Sequence, residues 1–300
     1  MIHLGPSGAL LIIAWLLMGT TAGALFGPTR TRRVLSALVV AGSLFVPFVG
    51  PPEESLARGL AGLGAMLMVM RWVEAVRASA PPVVPYAVLF VLPVDTPSLR
   101  RAPPRLAVDS LGRAASHGVL TALGIALVLA APASAPSRFA LRWLGGVVFV
   151  YGYVELAASS ARLLLAALGV DVAQMQRDPI LSRSVAEHWG ERWNRVVSTW
   201  LRRHLFLPVT RRTRSPVAGL AAAFAWSAFL HAYFIYAAVG ASAALAMGAY
   251  FVSQGLLVLL ESRLPVARWP GPLARTWTIL AVVGPSWLFV GPALAMFGVP

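Results

Sequence analysis

The chain reads as an all-α, polytopic membrane protein of about eight transmembrane helices, with re-entrant and interfacial helices added. Three observations predict this class. Of 300 residues, 58% are hydrophobic and 12% charged, and the mean hydropathy is +0.74, well outside the balance of a soluble domain. Apolar runs approaching the roughly 20 residues a helix needs to cross a bilayer recur along the whole chain. In lipid, backbone polar groups have to be satisfied within the segment, which selects helices over open strands. The basic residues, 25 in all and every one an arginine, give a formal charge of +14. They are scattered among apolar runs, so they read as topology signals and head-group contacts, with no basic domain for nucleic acid. There is no cysteine, which excludes disulfides, thiolate metal sites and a cysteine nucleophile.

The elements follow in order. The first span runs from Ala9 to Phe26; its Ala22-Gly23-Ala24 end resembles a signal-peptidase site, but no arginine precedes it, and a retained span is expected. Val34 to Gly50 and Leu60 to Met70, the latter with flanking help from Arg58 to Trp72, lie either side of the acidic Pro51-Pro-Glu-Glu turn and supply two crossings. Val83 to Val94, opened by Pro81-Pro82 and interrupted at Pro85 and Pro93, is too short and broken to span and reads as re-entrant or interfacial. Gly118 to Ala135, Phe139 to Ala157 (extending to Gly169), Val217 to Val239, Ala241 to Leu260 and Thr276 to Phe297 complete the set. Arginines cluster at Arg30, Arg32 and Arg33; at Arg100, Arg101, Arg105 and Arg113; from Arg177 to Arg214; and at Arg263, Arg268 and Arg275. Placing these four loops in the cytoplasm puts both termini outside. A single membrane-embedded domain covering residues 1–300 is expected, set in a bacterial inner membrane.

The interval from Asp171 to Pro216 leaves the apolar pattern and holds the densest charge. From Ser184 to Leu207 the spacing predicts one amphipathic helix: Trp189, Trp193, Val196, Val197, Trp200 and Leu201 share a face, with Glu187, Glu191, Arg195, Arg202 and Arg203 elsewhere. Ser184 and Glu187 fit a capping box, and Pro208 and Pro216 are expected to end the helix. Such a helix lies at the interface, tryptophans toward lipid or protein and arginines toward water. Beyond it, His231 stands inside an apolar run. An ionisable residue at that depth marks a functional site when it faces a cavity or a partner, and Ser227, one turn earlier, is placed to satisfy a ring nitrogen.

The run Arg177-Asp-Pro-Ile-Leu-Ser-Arg-Ser-Val-Ala-Glu-His-Trp-Gly-Glu-Arg-Trp-Asn, followed by Ser227-Ala-Phe-Leu-His231, resembles the wax-synthase branch of the membrane-bound O-acyltransferase (MBOAT) superfamily. The likeness covers residues 174–236. It departs from the family pattern at His188, where Phe is usual, at Glu191, where Arg is usual, and at Ala232, where Glu usually follows the histidine. The missing carboxylate leaves the orientation of His231 to Asn194, Ser227 or another acid such as Glu155.

The resemblance implies transfer of a fatty acyl group from acyl-CoA, as co-substrate, to the hydroxyl of a lipophilic acceptor, foremost a long-chain alcohol giving a wax ester. It also implies His231 and Asn194 as the catalytic pair. The physics of the groups agrees, since an imidazole kept neutral by burial can act as general base, and an amide can hold a hydroxyl or polarise a carbonyl. Trp189, Arg192, Trp193, Arg195, Ser227, Arg202 and Arg203 are the substrate-binding candidates, the arginines facing the phosphates of CoA. No cofactor and no metal are expected, there being no ligand-spaced His or carboxylate cluster.

Other classes fit less well. None of the five histidines, His3, His117, His188, His204 and His231, precedes an Asp at the spacing of soluble acyltransferases, and no Gly-x-Ser-x-Gly elbow occurs. Gly5-Pro-Ser-Gly8 echoes a rhomboid-protease serine motif but precedes the first span. The same fold acting on a sterol, an acylglycerol or a cell-envelope sugar is the alternative within the class. Outside it stands a non-enzymatic lipid or small-molecule transporter, against which weighs the lack of a visible internal repeat.

Overall fold

A computed structural model describes residues 5–78, 85–91, 100–101, 106–132 and 136–299. Among them are eight helices long and apolar enough to cross a membrane, so the chain is an all-α, multi-pass membrane protein. The contacts divide it into two compact units, residues 1–97, 227–248 and 292–300 in one and 98–226 and 249–291 in the other.

In the first unit, α1 (Pro6–Leu25), α2 (Arg30–Ser43, continued by a 3₁₀ turn at Val46–Phe48) and α3 (Ser55–Arg77) precede a short α4 (Tyr86–Leu89). Leu10 and Leu17 of α1 are left facing outward, as a lipid-facing surface requires. Thr29 caps α2 by accepting from Arg32 N–H at 3.3 Å. The apolar run that ends at Met70 belongs to a longer helix, because Arg71 and Glu74 pair at 2.6 Å inside the protein and so continue α3 without exposing charge to lipid. Small residues let neighbours approach α3: a side chain at Gly62 would come within 3.1 Å of the Phe234 Cα. Ala22, Phe26, Val40, Met68, Ala75 and Phe90 form its buried apolar cluster. Of the Val83–Val94 run only residues 85–91 are described, as the α4 turn; Pro81, Pro82, Pro93 and Arg105 lie outside the described residues.

The second unit is built on a helical hairpin of α5 (Leu106–Leu129) and α6 (Pro136–Ala167). Glycines from both helices close it: a Cβ on Gly124 would lie 2.2 Å from the Phe149 backbone nitrogen, and one on Gly145 2.9 Å from the Leu127 Cβ. The span starts well before Gly118, since α5 carries Asp109, Arg113 and His117 in its first turns. Two residues of β1 (Arg100–Arg101) pair antiparallel with β2 (Val170–Asp171), a small ladder the sequence pattern did not announce. Then come the motif-bearing segment with α7 (Val185–Glu187), α8 (Arg195–Leu201) and α9 (Leu207–Thr213). Of the remaining long helices, α10 (Pro216–Val239) and α11 (Ala241–Glu261) have residues in both units, with 227–239 and 241–248 counted in the first; α12 (Gly271–Val283) lies in the second, and a Gly284–Ser286 3₁₀ turn joins it to α13 (Trp287–Met296), whose residues from Pro292 onward count in the first. Pro285 in that turn lacks an N–H, which accounts for the interruption of the last span.

Candidate functional site

The expected continuous helix from Ser184 to Leu207 is not what forms. It starts as expected, with Ser184 Oγ accepting from Glu187 N–H at 2.9 Å. Glu187 reaches back to Arg183 N–H at 2.7 Å, one residue before the cap. After one α turn the chain widens into a π turn over His188–Arg192, closed by Trp193 N–H on the His188 carbonyl at 2.7 Å. The helix then breaks at Asn194, whose φ of 39° lies in the left-handed region that Asn tolerates better than most residues. Asn194 restarts it as the N-cap of α8, its Oδ1 accepting from Val197 N–H at 3.4 Å. A second π turn spans Arg202–Phe206, and Pro208 opens α9 instead of ending the helix. Pro216 likewise stands at the first position of α10.

The break is held from upstream. Arg177 N–H donates to the Arg192 carbonyl at 2.9 Å and Arg195 N–H to the Met175 carbonyl at 2.8 Å. Between these rungs Asn194 N–H donates to Gln176 Oε1 at 2.8 Å. The Arg195 guanidinium reaches the Gln174 carbonyl at 3.4 Å. Arg192 binds Glu187 Oε1 through Nε at 2.6 Å and the Arg177 carbonyl through a terminal nitrogen at 3.1 Å. Burial raises the Glu187 carboxyl, but the Arg183 N–H and the Arg192 guanidinium outweigh it and hold the group below the usual carboxylate range.

Aromatic packing fills the space under the π turn. The Trp189 indole donates to Gln254 Oε1 at 3.0 Å and meets Phe224, Tyr250 and Phe251 edge-on. Trp193 stacks on His188 with centroids 5.8 Å apart and approaches Tyr151 at 6.3 Å. His188 is buried, and loss of hydration pushes its imidazole down to about 4 despite a hydrogen bond to the Pro179 carbonyl. It is a neutral, packed histidine in the position where the family pattern carries Phe.

His231 lies in α10, in the first unit. Its Nδ1 is 2.7 Å from the Ser227 carbonyl; a carbonyl only accepts, so Nδ1 carries a proton, and in the neutral ring Nε2 is then the lone-pair nitrogen. That backbone contact, one turn earlier, orients the ring, and Ala232 offers no carboxylate to do so. Ser227 itself is buried.

The structure thus gathers Asn194, Trp189, Arg192, Trp193 and Arg195 in one segment of the second unit, all engaged in building it. Arg202 and Arg203 stand exposed on the turn after α8. His231 and Ser227 belong to the other unit. Sequence reasoning missed three supports: Gln176; Gln254, which also donates to the Ala281 carbonyl at 3.2 Å; and Glu261, which accepts from Val185 N–H, Ala186 N–H and the Trp277 indole at 2.8 to 3.0 Å. The last two were visible as polar residues in an otherwise apolar run.

A family match falls on the same stretch. Residues 172–252 match the model of the "Membrane bound O-acyl transferase family". "Probable long-chain-alcohol O-fatty-acyltransferase 2" of Arabidopsis thaliana is 30% identical over 168 residues, 51% of this chain and 48% of that one. "Long-chain-alcohol O-fatty-acyltransferase" of Simmondsia chinensis is 32% identical over 120 residues, 38% of this chain and 34% of that one. The chain spans half or less of the length of the curated relatives it matches. The resemblance read from the two motifs, to the wax-synthase branch of the MBOAT superfamily, is borne out by the family match and by these relatives.

Proposed function

We propose that the protein is a membrane O-acyltransferase that moves a fatty acyl group from acyl-CoA to the hydroxyl of a lipophilic acceptor, most directly a long-chain alcohol, releasing a wax ester and CoA. The observation that carries this reading is the histidine of the matched segment, which sits within a membrane span with Nδ1 donating to the Ser227 carbonyl; we assign Nε2 as the base. In the reaction, His231 Nε2 takes the acceptor's hydroxyl proton as its oxygen attacks the thioester carbon. The tetrahedral oxyanion is met by an amide donor, which we assign to Asn194 Nδ2, since Asn194 Oδ1 is engaged in the cap. Collapse breaks the carbon–sulfur bond, and the imidazolium returns its proton to the CoA thiolate. Direct attack needs no acyl-enzyme, cofactor or metal.

We assign the phosphates of CoA to Arg202 and Arg203, which are exposed beside α8; Arg192 and Arg195 hold the motif segment itself. The arginine-rich interval favours a cytoplasmic face for this segment, in what we take to be a bacterial inner membrane. The acceptor enters and the ester leaves through the bilayer.

The test is ester formation by membranes carrying the chain, given labelled palmitoyl-CoA and a panel of fatty alcohols, sterols and diacylglycerol, beside His231→Ala. Alcohol esters formed by the wild type and reduced on the order of 10² to 10⁴-fold in the variant are expected. A folded, abundant wild type giving nothing above empty membranes would refute the wax-ester reading and advance envelope acylation or transport.

A further inference from the structure

We infer that Gln176 is a positioning residue for Asn194: its side-chain oxygen holds the strained turn that aims the Asn194 amide. The inference rests on the reading of Asn194 as the oxyanion donor. Two main-chain bonds flank the turn, Arg177 to Arg192 and Arg195 to Met175, and neither satisfies Asn194 N–H. That donor is met by Gln176 Oε1 at 2.8 Å. The conformation it secures, φ 39° and ψ 62°, is one the chain abandons readily without a constraint.

The state of Gln176 itself supports the assignment. The side chain is fully buried, and its Nε2 has no hydrogen-bond partner among the described residues. Reversing the amide would set a donor against Asn194 N–H, so the oxygen must face the turn and the nitrogen is left unsatisfied. An apolar residue would remove that penalty; what it would lose is the acceptor for Asn194. Because Asn194 Oδ1 is tied to Val197, the direction of Nδ2 follows the backbone dihedrals at 194, and Gln176 acts through them without touching substrate.

Gln176→Met keeps the length and removes the acceptor; Gln176→Glu keeps an oxygen at the same point. In the palmitoyl-CoA assay, normalised to folded protein, the Met variant is expected to lose about 10- to 100-fold in kcat with KM for palmitoyl-CoA nearly unchanged, and the Glu variant to restore kcat. Hydrogen exchange of the Asn194 to Val197 amides supplies a readout independent of acyl transfer, expected to quicken in the Met variant and not in the Glu variant. Wild-type exchange at Asn194 in Gln176→Met overturns the inference, as does wild-type kcat there or an equal loss in both variants. Faster exchange in Gln176→Met with no ester formed by the wild type would uphold the clamp and sink the acyltransferase reading instead.

Discussion

Substitution at Asn194 separates a chemical role from a structural one, because the structure gives the residue two duties with different requirements. As N-cap of α8 it offers Oδ1 to Val197 N–H at 3.4 Å, a long bond, so its loss falls near the lower end of the range for caps, about 0.5 to 1 kcal/mol. As a left-handed residue at φ 39° it avoids the penalty that Ala meets there, roughly 1 to 2 kcal/mol. Asn194→Ala therefore destabilises by about 2 kcal/mol. Asn194→Gly loses the cap but relieves the turn and stays within about 0.5 kcal/mol. Asn194→Asp retains both the acceptor oxygen and the tolerance for this conformation, so its stability stays near the wild type's. A residue that served only as a cap would give activity in the order Asp, Gly, Ala. With Nδ2 as the oxyanion donor, all three lose on the order of 10² to 10³ in kcat regardless of stability. The assay is labelled palmitoyl-CoA with a long-chain alcohol in detergent, kcat expressed per folded molecule from size-exclusion fluorescence, with thermal melts of each variant. Wild-type kcat in Asn194→Asp would refute the donor assignment.

Two further perturbations test the packing beneath the site. His188, held at about 4 when folded against an ordinary 6.5, binds fewer protons folded than unfolded between those values, so stability falls as pH drops from about 6.5 toward 4, by on the order of 3 kcal/mol at the lower end. Melting temperature against pH should show this slope, and His188→Phe should flatten it; an equal slope in both would place the titration elsewhere. In the hairpin, Gly124→Ala drives a methyl to 2.2 Å from the Phe149 backbone and should lower the melting temperature by several degrees, whereas Gly112→Ala, with nothing within 4 Å, should raise stability by up to about 1 kcal/mol. Equal melting of the two variants would mean that α5 and α6 do not pack as described.

What could be read from the sequence, and what could not, divides along a physical line. The spans were legible because length and hydropathy are local properties that lipid enforces one helix at a time; even α3 was misjudged only in extent, since Arg71 conceals its charge by pairing with Glu74. His231 was legible because an ionisable group in an apolar run is conspicuous. The shape of the motif segment was not. Trp189, Trp193, Val196 and Trp200 keep a helical period, and nothing in that period reveals a left-handed residue or two π turns. The left-handed residue depends on Met175 and Gln176, nearly twenty residues earlier in the chain, which pull the backbone out of helix at Asn194. A continuous helix would have given Asn194 an ordinary intrahelical N–H bond and freed its Oδ1 from the cap. The break does the reverse: it ties down the oxygen, leaves the amide nitrogen as the group Asn194 has to offer, and hands control of its direction to a buried glutamine. Asparagine at this position is thus accounted for by the combination of a tolerated left-handed turn, a capping oxygen and a remaining donor; Asp supplies the first two, Gly the first, and neither supplies the third.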